Sequence, residues 1–413
     1  MRILSGPKAV RMVEHLARRG TKLAVLEPRV RNIIKSVRST GDRALRRYAE
    51  RWDGLAKDQP LQVGEDEMAA AWDRLPSEIR RSLALAAQNI RHFCKWQKPS
   101  SWTRTHRGMC LGQLAIPLEA VGCYVPGGRY PLISTLLMTV IPAQVAGVKY
   151  IRVVSPKPSA EVFAAAKMLG VREFYRVGGA QAIAALAWGT ETIGRVDKIV
   201  GPGNAYVTAA KKLVSFDCAI DFLAGPTEAL VLSESGDPRF IAADLVAQAE
   251  HDPQALCVFI TRSQPLAREV KFNLNALAAK NAIARESLER QGAILVAGSR
   301  EQAREWANAI APEHISVASE DVPYIRNAGS VFVGEYSPQS AGDYASGPNH
   351  VLPTAGQARF RGGLSVLDFI KLVTVQELSR EGLDQIGKTV EALAQIEGLE
   401  AHAESVRVRC ANA

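Results

Sequence analysis

Three glycine-rich turns constrain this chain more than any other feature: VPGGRYPLIS (125–134), RVGGAQAIAAL (176–186) and IVGPGNAYVTAA (199–210). Each follows a short apolar run and opens a stretch with helical spacing. Glycine lets the backbone turn sharply there because no Cβ stands in the way. Strands read at 150–155, 171–176 and 196–200, after a strand-rich stretch LGQLAIPLEAVGCY. Helices read at 134–146, 160–169, 180–188 and 204–214, the first with a kink expected at Pro142. Strands alternating with helices at this spacing predict a parallel sheet with right-handed crossovers. None of the turns is GxGxxG or GxxxxGK[ST], so the usual dinucleotide and P-loop fingerprints are absent. Three such turns in one sheet still put backbone N–H groups where phosphates or dinucleotides bind, with plain βα turn chemistry as the other reading.

A second α/β run follows. EALVLSE, LCVFITR, GAILVAG, HISVA and GSVFVGE read as strands, and PRFIAADLVAQAEH and REQAREWANAIAP as helices. Before residue 98 the pattern is helical: Val30, Ile33, Ile34 and Val37 recur on one face, as do Ile79, Leu83, Ala86, Ile90 and Phe93. Gly41 and Pro60 interrupt it. From about 363 the pattern is again read as helical, first VLDFIKLVTVQ and then REGLDQIGKTVEALAQIEGLEAHAES. The expected class is therefore α/β, with two Rossmann-like parallel-sheet domains and helical N-terminal and C-terminal segments. No repeat of fixed period is visible. At 413 residues the chain is too long for one core.

The net charge is +9, and the first 60 residues, with 15 Lys/Arg and 6 Asp/Glu, hold an equal excess. These cations lie in amphipathic helical pattern without glycine–aromatic interleaving. A solvated helix face is the expectation, an anion-attracting surface the alternative, and nucleic-acid binding is not expected. Six scattered cysteines with no CxxC read as buried, reduced thiols. No signal-type h-region and no membrane-length apolar run is visible, so a cytoplasmic protein is the expectation.

Chemistry concentrates in the second half. The stretch GEYSPQSAGDYASGPNHVLPT (334–354) holds three glycines and three prolines, so it is neither a long helix nor a central strand. It carries Asp343 and His350, and a loop of this composition builds a site more often than a linker. In AQAEHD, Gln248 and His251 share a face near a helix end, where a histidine can equally be a cap. In APEHI, adjacent Glu313 and His314 point different ways, so a water-activating carboxylate and an imidazole base could flank one substrate. Glu397 and His402 lie in a C-terminal helical stretch, where surface positions are the simpler reading. A carboxylate, two imidazoles and a neutral oxygen make a zinc-type donor set.

With these residues in hand the chain resembles the histidinol dehydrogenase family over nearly all its length from about residue 30. The segments that carry the likeness are YVPGG, VGGAQAIAAL, DKIVGPGNAYVT, IDFLAGPTE, DLVAQAEHDP, APEHI, SAGDYASGPNHVLPT and EGLEAHAESVRVR. The resemblance implies a Zn2+-dependent enzyme, one ion per subunit, that oxidises L-histidinol to L-histidine with two NAD through a bound aldehyde. It implies zinc ligands at Gln248, His251, Asp343 and His402 and a catalytic pair at Glu313 and His314. NAD contacts would be Tyr124, Gln181 and Asn204. Substrate contacts would be Thr227, His350 and Glu397, shared with His314 and the four metal ligands. It further implies a homodimer whose C-terminal helices complete the partner's site. The corresponding division is an arm over 1–21, a first α/β domain over 22–123 with 227–362, an NAD-binding α/β domain over 124–226 and a C-terminal helical domain over 363–413.

Two departures stand out. Thr227 occupies a position where the family usually has serine, and VSFDCAID is shorter than in some members. Thr227 and the GGLSV stretch also occur in relatives that oxidise other polar alcohols such as sulfopropanediol. Glu397 argues for histidinol, because a carboxylate suits a substrate ammonium and repels a sulfonate. A cysteine nucleophile has little support, since Cys110 and Cys123 lack a neighbouring His or Lys in the sequence. A zinc hydrolase without dinucleotide remains the rival enzyme class.

Overall fold

The computed structural model describes residues 1–20, 23–127 and 131–410. The strands are β1 (Arg2–Ser5), β2 (Trp102–His106), β3 (Met109–Pro117), β4 (Ala120–Tyr124), β5 (Tyr150–Val154), β6 (Glu173–Tyr175) and β7 (Lys198–Val200). They continue with β8 (Ala219–Ile220), β9 (Glu228–Leu232), β10 (Leu256–Thr261), β11 (Ala293–Val296), β12 (His314–Val317), β13 (Ser330–Val333) and β14 (Ile370–Leu378). Contacts divide the chain into two units, Met1–Gln97 with Glu119–Phe369, and Lys98–Leu118 with Ile370–Ala413.

The first unit holds two parallel sheets. One is ordered β1-β11-β10-β9-β12-β13 and the other β6-β5-β4-β7-β8. Counted from β9 and from β4, both sheets run third, second, first, fourth, fifth, with β1 added outside β11. That is a doubly wound order, present twice. The duplication is one of topology, which is why no fixed-period repeat betrays it.

Every residue of β9, β10 and β11 is buried, as a parallel sheet covered on both faces requires. Successive side chains feed opposite faces. Leu230, Leu232, Val258 and Ile260 pack with the helices Gly6–Ala17 and Arg300–Ile310. Ala229, Val231, Cys257 and Phe259 pack with the helices Pro238–Ala249 and Gln264–Ala278. In the core beside the five-stranded sheet, Val30, Ile33, Ile34 and Val37 of the helix Glu27–Tyr48 join the helices Gly179–Trp188 and Ala205–Val214. The one-face spacing read from the sequence is the face that is buried. Part of the first glycine turn, residues 128–130, lies outside the described residues.

The second unit corrects one local reading. VLDFIKLVTVQ is not an α-helix; its first four residues, Val366–Phe369, form a 3-10 turn and β14 takes up the rest. β14 pairs antiparallel with β3 over nine residues, from Ile370 opposite Pro117 to Leu378 opposite Met109. Val373, Thr374 and Val375 are β-branched in succession, which lowers helix propensity, and β3 offers a long edge to pair with. β2 covers the other edge of β3 and was not anticipated either. The helices Arg380–Ile396 and Glu400–Cys410 follow as read.

All six cysteines are free, and Cys94, Cys123, Cys218 and Cys257 are buried. Among the described residues no helix is long and apolar enough to cross a membrane.

Candidate active site

The amino-terminal edge of the six-stranded sheet gathers the chemistry. Thr227 and Glu228 stand at the head of β9, and Glu313 and His314 at the head of the adjacent β12, with His314 in register with Ala229. The helix Pro238–Ala249 runs back from the far end of β9, so its last turn returns Gln248 to the same edge, with His251 just beyond. The loop 334–354 contributes a short helix, Gln339–Tyr344, with Asp343 in its final turn. Four sequence-distant segments therefore meet because parallel βα units bring strand starts and helix ends to one side.

The contacts are specific. Thr227 Oγ1 donates to Glu313 Oε2 at 2.7 Å, and the Glu228 amide donates to the same oxygen at 2.9 Å. Gln248 Oε1 lies 3.2 Å from the Thr227 hydroxyl, and Gln248 Nε2 donates to Asp343 Oδ2 at 2.8 Å. His314 Nε2 is 3.3 Å from Asp343 Oδ1, and its Nδ1 is 3.4 Å from the Glu228 carbonyl oxygen. The His314 ring stacks on Phe332 with centroids 5.8 Å apart. Gln248, Glu313 and His314 are only 2%, 7% and 3% exposed, while His251 faces solvent beside a cavity of about 440 Å³ bordered also by Ser134 and Tyr344.

His350 sits behind Asp343, its Nδ1 2.6 Å from the Asp343 carbonyl oxygen, and its Nε2 is 3.4 Å from Thr135 Oγ1. Pro142 explains how this loop is tied down. It lies inside the helix Ile133–Ala146 and has no N–H for the carbonyl of Met138 four residues earlier. Asn349 Nδ2 donates to that carbonyl at 2.6 Å instead. A second anchor is Arg19, whose guanidinium grips both oxygens of buried Glu228 and also donates to the Ile310 carbonyl at the end of the helix before Glu313. Ala355 N donates to Glu228 Oε1 at 2.9 Å. Arg19, Glu228, Thr135 and Asn349 escaped sequence reasoning because their partners are far away along the chain.

Burial sets the electrostatics. It pushes the Glu313 carboxyl up to about 7, against the opposing pull of His314 and the Thr227 hydrogen bond. For His314, burial disfavours the cation, but the carboxylates of Glu313 and Asp343 outweigh it and raise the pKa. Burial also opposes ionisation of Asp343, yet His314 holds it below the ordinary value. His350 is pushed down by burial and stays neutral. Cys123, Cys218 and Cys257 are driven up to about 12 by burial, which makes them poor nucleophiles.

A separate cavity of about 480 Å³ lies at the carboxyl ends of the five-stranded sheet. Tyr124, Gln181 and Asn204 all border it, one from each glycine-rich turn region. Tyr124 Oη accepts from the Gly179 amide at 3.0 Å, and Asn204 Oδ1 caps the helix Ala205–Val214 through the amides of Tyr206 and Val207. Gly201 adopts φ +107°, and a Cβ there would fall 2.2 Å from the Tyr124 carbonyl oxygen, so this turn requires glycine.

Glu397 and His402 belong to the second unit, at the end of the helix Arg380–Ile396 and in the helix Glu400–Cys410, and both are exposed. Among the described residues no group of three or more His, Cys, Asp or Glu is arranged to hold a metal ion. The first unit thus assembles Thr227, Gln248, Glu313, His314, Asp343 and His350 around one edge, with His251 at its rim.

Comparison with known proteins identifies the family. A sequence model described as histidinol dehydrogenase matches residues 16–410. A histidinol dehydrogenase of Methanothermobacter thermautotrophicus is 50% identical over 402 residues, covering 93% of each chain. One of Syntrophotalea carbinolica is 46% identical over 408 residues, covering 95% of each. The crystal structure of histidinol dehydrogenase from Elizabethkingia anophelis superposes with a TM-score of 0.94 at 36% identity, covering 99% of this chain and 98% of that one.

Proposed function

The chain belongs to the histidinol dehydrogenase family, and from that premise we propose that it oxidises L-histidinol, through bound L-histidinal, to L-histidine in two NAD-dependent steps of histidine biosynthesis. It is an oxidoreductase acting on a small molecule. The observation that carries the reading is the buried pair Glu313 and His314 at the head of β12, facing Thr227 and Asp343.

The donor set suits a borderline cation such as Zn2+. The Gln248 amide nitrogen donates to Asp343 Oδ2 at 2.8 Å, which brings the two side chains together; the Gln248 and Asp343 oxygens, with a neutral imidazole nitrogen from His251, would be the donors. In this reading His402, from the C-terminal helices of the second subunit of a homodimer, completes the set, and Glu397 beside it receives the substrate ammonium. The same reading keeps 124–226 as the NAD-binding domain, 22–123 with 227–362 as the domain of the catalytic residues, and 363–413 as the segment that completes the partner's site. Free, buried thiols fit a reducing compartment, and we place the reaction in the cytoplasm.

When bound, the absent groups supply hydride acceptance, by the nicotinamide, and orientation of the substrate's imidazole and amine, by the cation. The chain's own residues move the protons. His314 donates Nδ1–H to the Glu228 carbonyl, which leaves the Nε2 lone pair to take the alcohol proton as hydride departs. Asp343 and Glu313 stabilise the imidazolium that results. In the second step Glu313 takes a proton from water as its oxygen adds to the aldehyde carbon. The His314 imidazolium returns its proton to the former carbonyl oxygen, which completes the hydrate and restores the neutral base; the hydrate then loses the carbon's remaining hydride to the dinucleotide and one hydroxyl proton to His314. Holding the aldehyde in this buried pocket favours the second oxidation over release.

The test is a screen of the purified, zinc-loaded protein with NAD. Two NADH per L-histidinol are expected. Turnover of sulfopropanediol in preference to histidinol would assign the other substrate, and turnover of a hydrolysable substrate without NADH would remove the dehydrogenase reading.

A further inference from the structure

Asp53 is a buried carboxylate in the cavity that holds Tyr124, Gln181 and Asn204, and the reactions just described make no use of it. It ends a π-helical turn, Ala49–Asp53, after which Gly54 turns the chain at φ +69°. The residue is 9% exposed and borders the cavity. Its Oδ2 accepts two hydrogen bonds, from the Gly178 amide at 3.0 Å and from Gln181 Nε2 at 3.1 Å. Its Oδ1 accepts none among the described residues.

The place in the fold gives that oxygen a meaning. In a doubly wound sheet one nucleoside lies over the first three strands, and an acidic residue near the end of the second strand takes the ribose hydroxyls. Here the second strand is β5, and Ser155, Pro156 and Lys157 follow it with no carboxylate among them. Asp53 arrives from outside the sheet, over the turn that follows β6, with Lys157 lying across Gly54 beside it. A carboxylate there accepts from a vicinal diol and, in a cavity of low dielectric, opposes a phosphate on the same ribose.

We propose that Asp53 is the residue that binds the adenosine ribose and selects the dinucleotide with a free 2′-hydroxyl over its 2′-phosphorylated form. This rests on the reading of the cavity as the cofactor site. A purely structural role, capping the start of the helix Gly179–Trp188, would weaken both dinucleotides alike when lost. A selective role changes their ratio.

The experiment is titration calorimetry of the holoenzyme with NAD+ and with NADP+, on wild type, Asp53→Asn, Asp53→Ser, Gln181→Ala and Asn204→Ala. Thermal midpoints accompany each variant, and the serine variant serves should the asparagine one fail to fold. Wild type is expected to bind NAD+ about 100-fold more tightly than NADP+. In Asp53→Asn the NAD+ affinity should fall about 10-fold and the preference should shrink to about 10-fold or less. Equal binding of the two dinucleotides by wild type, or an unchanged ratio in both folded Asp53 variants, overturns the proposal. If Gln181→Ala and Asn204→Ala weaken NAD+ while the Asp53 variants do not, the cofactor cavity stands and only the role of Asp53 falls. If none of the four variants affects NAD+ binding, the cavity reading falls and the proposal with it.

Discussion

The Thr227 hydroxyl donates to Glu313 Oε2 across 2.7 Å, on the oxygen that also receives the Glu228 amide. Two donors on one oxygen hold the carboxylate in place and lower the cost of its buried charge, while Oε1 accepts no hydrogen bond among the described residues. Thr227→Val keeps the shape and removes one donor. The aldehyde step should slow by about 10- to 100-fold, the size of one hydrogen bond to a charged group. Thr227→Ser should stay near wild type. Single-turnover NADH formation from L-histidinal reads this, and an equal loss in the alcohol step would reject the assignment.

His314→Asn should suppress both oxidations by about 10²- to 10⁴-fold, the usual contribution of a positioned base. Glu313→Gln should spare the alcohol step and impair the aldehyde step. Rapid-quench separation of alcohol, aldehyde and acid distinguishes the two patterns. Equal losses in both steps for Glu313→Gln would contradict the division of labour.

Glu313, with its carboxyl up to about 7, must be ionised to take a proton from water. As pH falls below about 7 it becomes protonated, so kcat/KM of the aldehyde step should drop about tenfold per unit. The raised pKa of His314 acts in the same direction on the alcohol step, since a protonated imidazole accepts nothing. A pH profile of each step tests this. A flat aldehyde-step profile between about pH 5 and 8 would sink it.

Arg19 grips buried Glu228 through two of its nitrogens. Arg19→Met should leave an uncompensated buried carboxylate and cost on the order of 3 kcal/mol of stability. Urea denaturation measures the loss, and Arg19→Met with Glu228→Gln should recover part of it. A single variant as stable as wild type would show that the pair contributes nothing net.

His402→Ala should lower metal affinity about 10- to 100-fold if this side chain is a ligand, with zinc per subunit read by mass spectrometry after dialysis. Unchanged zinc in the folded variant removes His402 from the set.

Legibility followed the range of the interactions. The glycine turns, the helical faces at Val30 to Val37 and the strand runs of both sheets other than β1 and β8 were visible because propensity and periodicity act within a few residues. VLDFIKLVTVQ was misread as helix because its apolar spacing is ambiguous and the edge of β3, some 260 residues earlier, decided the outcome. The residues able to do chemistry were also visible, since Gln248, His251, Glu313, His314 and Asp343 sit in unusual local contexts. The long-range contacts that hold the folded chain around them were not. Asp53 meets Gly178 across 125 positions, Arg19 meets Glu228 across 209, and Asn349 meets Met138 across 211.

The sequence by itself determined the α/β class, the parallel connections and the chemical identity of the candidate groups. Only the tertiary structure decided that one sheet gathers Glu313, His314 and Asp343 at its amino edge while the other opens a cavity at its carboxyl edge. Only it decided that Glu313 is buried enough to hold its proton near neutral pH. The reason is physical: propensity is a property of neighbouring residues, whereas desolvation and hydrogen-bond partners depend on what the folded chain brings alongside.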